Sequence, residues 1–334
     1  MAHGVRTEST RIGGWEALGT VIPGDGFTAE QALQHGHLAG WNVRKVPEYA
    51  FTEQGERLEV PGRHAVLRDN PFQRGKVDVI GSVGDVFHPT QNEELTGLLQ
   101  ALVDESGSDF IAAGALGNGS RVFITMRMPG HLKIGGVDRV DNVLTALNGH
   151  DGGTKLSVGV YPIREACTNI LNMGFLNRSN LHAVRHTKNS TKGFVAEARR
   201  TLDLSFSYLD GFQKEAERLI NTTMTQVQFE EIIAAAYGPG EDAGAAARTR
   251  AERKVEQMSE LFSDSLTQEG IRETAWAGLN AVTEWFDYYS PVRGDDREAS
   301  RATKALLNPH DKNKALDLIG AFAKGGTSRA LAHV

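Results

Sequence analysis

Two stretches of this chain carry the side chains with which it could do chemistry. The first is Asn148-Gly149-His150-Asp151-Gly152. Adjacent His and Asp form the central metal-binding dyad of some phosphohydrolases, but that dyad sits on a helix with further His and Asp ligands. Here glycine flanks it on both sides and no partner cluster is evident, so ligand count argues against a metal. A turn whose backbone N–H groups and His150 meet a phosphate, or a purely structural turn, fits the residues better.

The second stretch is the basic run from Lys155 to Arg200. It holds eight Lys/Arg (Lys155, Arg164, Arg178, Arg185, Lys188, Lys192, Arg199, Arg200) against two acids, Glu165 and Glu197, with His182 and His186 among them. The whole chain is formally −6, so the remaining residues carry −12. A positive region this concentrated in an acidic protein points to an anionic partner. Arg178, Arg185, His186, Lys188 and Lys192 are interspersed with Asn177, Ser179, Asn180, Thr187, Asn189 and Ser190. Long cations mixed with short amide and hydroxyl donors are the side chains that position a sugar-phosphate backbone without reading its sequence. A solvated loop is the bland alternative, and Tyr161, Phe175 and Phe194 offer ring faces for bases or for the core.

Other motifs lead nowhere. Gly114, Gly117 and Gly119 fall between two apolar runs, with the wrong spacing for a dinucleotide fingerprint or a P-loop. Cys167 is the single cysteine, which excludes an internal disulfide and a cysteine metal cage. At the start of an apolar helix it reads as a buried, inert thiol. No catalytic or metal-ligating residue is assigned, and no cofactor is expected. No apolar run approaches the ~18 residues that cross a bilayer, and the first residues lack a signal peptide's apolar stretch, so a cytoplasmic location is expected.

The surrounding elements predict an α+β fold. Thr28 starts a short helix ended by Gly40, WNVRKVPEY, RHAVLRD and VDVIGSV read as strands, and Gly55 and Pro61-Gly62 mark turns. Leu95, Leu98, Leu99, Leu102 and Val103 form one stripe of a helix over 89–105 started by Thr90 or Asn92. Residues 110–128 predict a hairpin turning at Asn118-Gly119. Val137–Leu147 is a short helix or strand, TKLSVGVYPI a third strand, and a helix from Ala166 into Phe175 crosses the sheet. Phe194, Ala198, Leu202, Phe206, Leu209, Phe212, Ala216, Leu219 and Ile220 then recur at helical spacing. Thr225 caps a second helix, and a charged helix, an aromatic-rich helix ended by Pro291 and two pieces around Asn308-Pro309 follow. The expected division is an α+β core with a basic groove over 1–202, a helical domain over 203–325, and a loose tail over 326–334.

Four segments carry a resemblance: LGTVIPGDGFTAEQALQHGHLAGWNV, AGALGNGSRVFI, NGHDGGTKLSVGVYPIREACTNIL and LHAVRHTKNSTKGFVAEARRTL. Together they resemble the successive signatures of a phage- and plasmid-borne family known as a domain of unknown function, the 932 domain, over roughly residues 15–210. Gly153 and Glu165-Ala166 depart from its pattern. The resemblance implies a mobile-element origin and no assigned activity. The hairpin, third strand, crossing helix and basic groove are also similar, as a fold-level analogy, to single-strand annealing recombinases of the RecT and Erf type. Annealing needs no nucleotide cofactor, only a homo-oligomer that holds one strand by its backbone. The expectation is therefore an ATP-independent single-stranded DNA binding and annealing protein. Arg178, Arg185, Lys188 and Lys192 would contact phosphates, with Arg164, His186 and Asn169 beside them and His150 at the turn. The rival readings are a metal-dependent nuclease or phosphohydrolase using His150 and Asp151, and a phage assembly or host-interaction protein.

Overall fold

A computed structural model of the chain describes residues 19–22, 27–164, 181–188, 209–293, 297, 300, 301, 304 and 310–334. The fold is α+β. One six-stranded antiparallel sheet is built from β1 (Thr20–Val21), β5 (Asp109–Leu116), β6 (Arg121–Ile134), β7 (Asp138–Gly149), β8 (Leu156–Arg164) and β9 (Leu181–Val184), in that spatial order. A second, three-stranded sheet runs β2 (Arg44–Phe51), β3 (Arg57–Asp69), β4 (Val77–Gly84). The region over 137–147, open between helix and strand from sequence, is β7 at the middle of the large sheet. The crossing helix expected over 166–175 lies outside the described residues.

Proline placement explains where the strands bend. A proline cannot donate to a ladder, so in a sheet it is confined to edges and bulges. Pro47 lies in edge strand β2 beside a register shift, and Pro129 lies where the β6–β7 register shifts between Arg127 and His131. Pro61-Gly62, read from sequence as a turn, belongs to the same irregularity inside the continuous strand β3. Pattern alone does not separate a bulge from a turn, because both use the same residues.

Helix α1 (Ala29–His35) opens with a capping box in which the Thr28 hydroxyl accepts from Gln31 N–H and the Gln31 side chain accepts from Thr28 N–H. It stops at Gly36, four residues before the expected Gly40. Helix α2 (Thr96–Ser106) follows a 3-10 turn over Asn92–Leu95 in which Gln91 and Glu94 form the capping box. Trp41, Leu33, Val66, Ile80, Leu99, Ile124, Met126 and Val158 bring both helices and both sheets into one apolar core.

A helical unit follows. It comprises α3 (209–220), α4 (Gln226–Tyr237), α5 (Ala245–Asp264), α6 (Ala275–Glu284) continued by a π-turn over Trp285–Tyr289, and α7 (His310–Leu331). The part of the expected long helix before 209 lies outside the described residues. The tail expected to be loose is helical to Leu331, after a break at Gly325-Gly326, and Ala330 is fully buried. Ile134 and Val140 from the large sheet enter the core of this unit beside Phe212, Leu219 and Trp276.

One ion pair, formed within the large sheet between β7 and β8, sits at that seam, and a hydrogen bond from α6 crosses to it. Arg164 Nε donates to both Asp138 oxygens at 2.8 and 2.6 Å, and Trp276 Nε1 donates to Asp138 Oδ2 at 2.7 Å. The Arg164 and Asp138 side chains are 2% and 5% exposed. Removing one partner of such a pair strands a buried charge, which costs about 3–5 kcal/mol. Arg164→Ala is therefore expected to lower the unfolding free energy read from urea titration by that amount. An unchanged urea stability would show that the pair does not stabilise this end of the sheet.

Candidate functional site

The two sheets and the turn before α2 meet at a buried polar cluster. Asn148 and His150 stand two residues apart and so face the same side of β7 and its extension. Both are fully buried, as is Asn92. Asn148 Nδ2 donates to Thr90 O at 3.1 Å and to Asn92 Oδ1 at 3.2 Å, and His150 Nε2 lies 3.3 Å from the same Oδ1. Asn92 Nδ2 donates to Leu38 O at 2.9 Å. On the other side of the turn, Thr90 Oγ1 lies 3.1 Å from His186 Nδ1. His186 is 5% exposed and rests against the Phe87 ring.

An amide oxygen only accepts, so the Asn92 contact requires His150 to carry its proton on Nε2. That leaves His150 Nδ1 as a lone-pair acceptor, and neither it nor Asn148 Oδ1 has a hydrogen-bond donor among the described residues. His186 Nε2 makes no hydrogen bond of good geometry, although the Thr154 carbonyl favours its protonated form. Burial pushes the His150 pKa down to about 4, helped by the neighbouring His186 and Arg68 and opposed by Asp151. Burial lowers that of His186 also, against Thr154 and Asp151. Both imidazoles are therefore neutral at pH 7.

Asp151 is consumed by its own turn. Its Oδ1 accepts from Gly153 N–H at 2.9 Å and Thr154 N–H at 2.7 Å, while Oδ2 accepts from the Thr154 hydroxyl at 3.0 Å and Arg121 Nε at 2.8 Å. Burial alone would raise its pKa, and these donors hold it below the usual carboxylate range. A carboxylate with both oxygens committed and an imidazole sealed from solvent do not present a ligand pair for catalysis. Among the described residues no three His, Cys, Asp or Glu side chains converge on an ion position. The His-Asp pair is a structural turn.

Two glycines make the close approach possible. At Gly81, in β4, a Cβ would collide with the His150 carbonyl oxygen, so only glycine lets the small sheet lie on this turn. Gly119, at φ +91°, leaves room for the Arg68 guanidinium, which sits 4.1 Å over the Trp41 ring and donates from Nε to Asp78 at 3.2 Å. Trp41 in turn packs against His150.

The basic residues divide into two groups. Arg164, His150 and His186 are buried and hold the fold, which removes them from a surface where a phosphate could reach them. Arg185 and Lys188 are exposed, just past β9 at the edge of the large sheet. Lys155, which the sequence pattern did not mark as a phosphate contact, is exposed one step beyond the Leu156–Val184 pair and so lies beside Arg185. No ion pair among the described residues engages Lys155, Arg185 or Lys188. Asn169, Arg178, Lys192 and Cys167 lie outside the described residues. Tyr161 packs against the apolar cluster of Ala112, Leu116 and Phe123. Thr90 and Asn92, expected as helix caps, are instead site residues. Their one sequence signal is that both are short polar side chains ahead of an apolar stripe, which a cap shares.

A histidine whose folded pKa is depressed stabilises the fold above its unfolded value and loses that contribution as pH falls through the folded one. For His150 the window runs from 6.5 down to about 4, worth on the order of 3 kcal/mol. Thermal unfolding midpoints should therefore drop across that window, and less steeply in His150→Gln. Parallel pH profiles for the two proteins would show that burial does not hold the imidazole neutral across that window.

Among the described residues no helix is long and apolar enough to cross a membrane. No curated protein and no solved structure matches the chain. One family model does, over residues 79–307, starting later than the resemblance read from sequence and continuing through most of the helical unit. The stretch takes in most of β4, the buried polar cluster, the basic edge and α6, whose Trp276 bonds Asp138, and since it spans more than half of the sequence the chain belongs to the family described as Domain of unknown function (DUF932).

Proposed function

We propose that this is an ATP-independent single-stranded DNA binding and annealing protein of phage or plasmid origin, acting in the cytoplasm as a homo-oligomer. The observation that carries the reading is the edge of the large sheet. Lys155 and Arg185 lie side by side there and Lys188 follows three residues on, all exposed and unpaired among the described residues, in a chain whose net charge is −6. Like charges side by side on adjacent strands destabilise a sheet unless an anion sits between them. A row of phosphates supplies such an anion without demanding any base-specific contact. Arg178, Lys192 and Asn169 belong to the same basic run and extend the proposed contact.

The engagement of both Asp151 oxygens and the burial of His150 among the described residues support this reading over a hydrolytic one. The test is fluorescence anisotropy with labelled oligonucleotides of several sequences at two salt concentrations. Arg185→Ala with Lys188→Ala should weaken binding equally on all sequences. It should also flatten the salt slope by about 1.4, at ~0.7 for each single-strand phosphate no longer neutralised. A wild-type salt slope near zero would overturn the phosphate reading. Binding without faster pairing of complementary strands would reduce the reading to a binding protein.

A further inference from the structure

A second feature lies away from the basic edge, in the helical unit. Helices α4 and α5 enclose a cleft of about 540 Å³, within the ~300–1,000 Å³ of clefts that hold ligands. Its floor is apolar, from Ala234, Gly238, Pro239 and Val255, and its rim is acidic, from Glu230, Glu252, Glu256 and Glu260. Glu252, Glu256 and Glu260 recur at four-residue steps on α5, a like-charge column that costs the helix stability. None of the four glutamates is in an ion pair among the described residues. Two of the four cations of α5 are directed elsewhere: Lys254 lies over the Tyr237 and Trp285 rings, and Arg248 donates to the Glu241 carbonyl, while Arg250 and Arg253 are exposed and in no ion pair among the described residues. Only Glu230 is tied down, accepting from Ser259 and Gln226, which join the two helices at one end of the cleft.

The column sets the shape of the ligand. At 1.5 Å rise per residue, Glu252 and Glu260 are about 12 Å apart along the axis, too far to share one ion. The complement is an elongated cation with charges about 6 Å apart, which is the spacing of Lys or Arg at four-residue steps on a helix. The apolar floor calls for an aliphatic side chain between those charges. We infer that the α4–α5 cleft docks a basic amphipathic helical segment of a partner protein, its aliphatic side chains on the floor and its cations on the glutamate rim. The docking is independent of the DNA reading, because the rim would repel a phosphate backbone.

The probe is a fluorescein-labelled helical peptide with Lys at every fourth position, Leu beside each Lys and Ala elsewhere, titrated into the full-length protein. A control peptide carries Ser in place of Leu. The Leu peptide should bind saturably and the Ser peptide at least tenfold more weakly. Glu252→Gln with Glu256→Gln should weaken the Leu peptide at least tenfold, and these changes relieve repulsion and so leave the helix intact. Ala234→Tyr, which fills the exposed floor, should do the same while single-stranded DNA affinity stays unchanged. Equal binding of both peptides would overturn the proposal in favour of charge alone, and unchanged affinity in the variants would place the peptide elsewhere. A loss of self-association in the variants, read by sedimentation, would overturn it by making a second copy of this chain the occupant.

Discussion

One buried amide fixes the relation between the parts of the α+β core. Asn92 donates to the carbonyl of Leu38, just past α1, and accepts from Asn148 and His150 at the end of β7. Its two ends are chemically different, so the amide can sit only one way round, and that orientation sets the His150 tautomer. A buried polar group left unpaired costs ~1–3 kcal/mol, so each of these bonds is enforced by the loss that breaking it would bring. An apolar contact would tolerate sliding. Directional bonds from one side chain to two other segments do not, and the chain just past α1, the turn before α2 and the end of β7 are held in one register.

Much of this architecture is legible in the sequence. Alternation predicts β8, two apolar runs joined at Asn118-Gly119 predict the hairpin of β5 and β6, and helical spacing with Thr225 and Gly238 predicts α4 to its ends, because local preference and tertiary packing agree there. The failures have physical causes. β7 has apolar residues on both faces, since it is central in a sheet covered on both sides, and that erases the period of two that would mark it. Pro61-Gly62 has the composition of a turn and the geometry of a bulge.

The site is legible in part for a different reason. Charge is a property of composition, so the basic run is visible from residue types alone. Exposure is a property of the fold, and it sorts the run: Arg164 is drawn inward by Asp138, which Trp276 also bonds, whereas Arg185 and Lys188 stay at the surface. Neither Asp138 nor Trp276 is near Arg164 in sequence, so no local pattern separates it from the others. The His-Asp pair shows the same limit in reverse. Its residue types suggest chemistry, and only the two backbone N–H groups, the Thr154 hydroxyl and Arg121 converging on Asp151 show that the carboxylate is spent on the turn.

That spent carboxylate still bears on recognition. Thr154 is fixed to Asp151 through both its backbone N–H and its hydroxyl, and Lys155 is the next residue. His186 is fixed by Thr90 and by its carbonyl, which accepts from His88 N–H at 3.0 Å, and Arg185 is the residue before it. The two exposed cations therefore hang from backbone that the buried cluster already holds still. Ordering a loop on binding subtracts from affinity, and a ligand that meets cations on a pre-set backbone avoids that part of the cost. The residues that look most like a catalytic centre thus serve as the rigid mounting for the exposed cations at this sheet edge, which accounts for the burial and neutrality of His150 and for the position of the pair next to the charge.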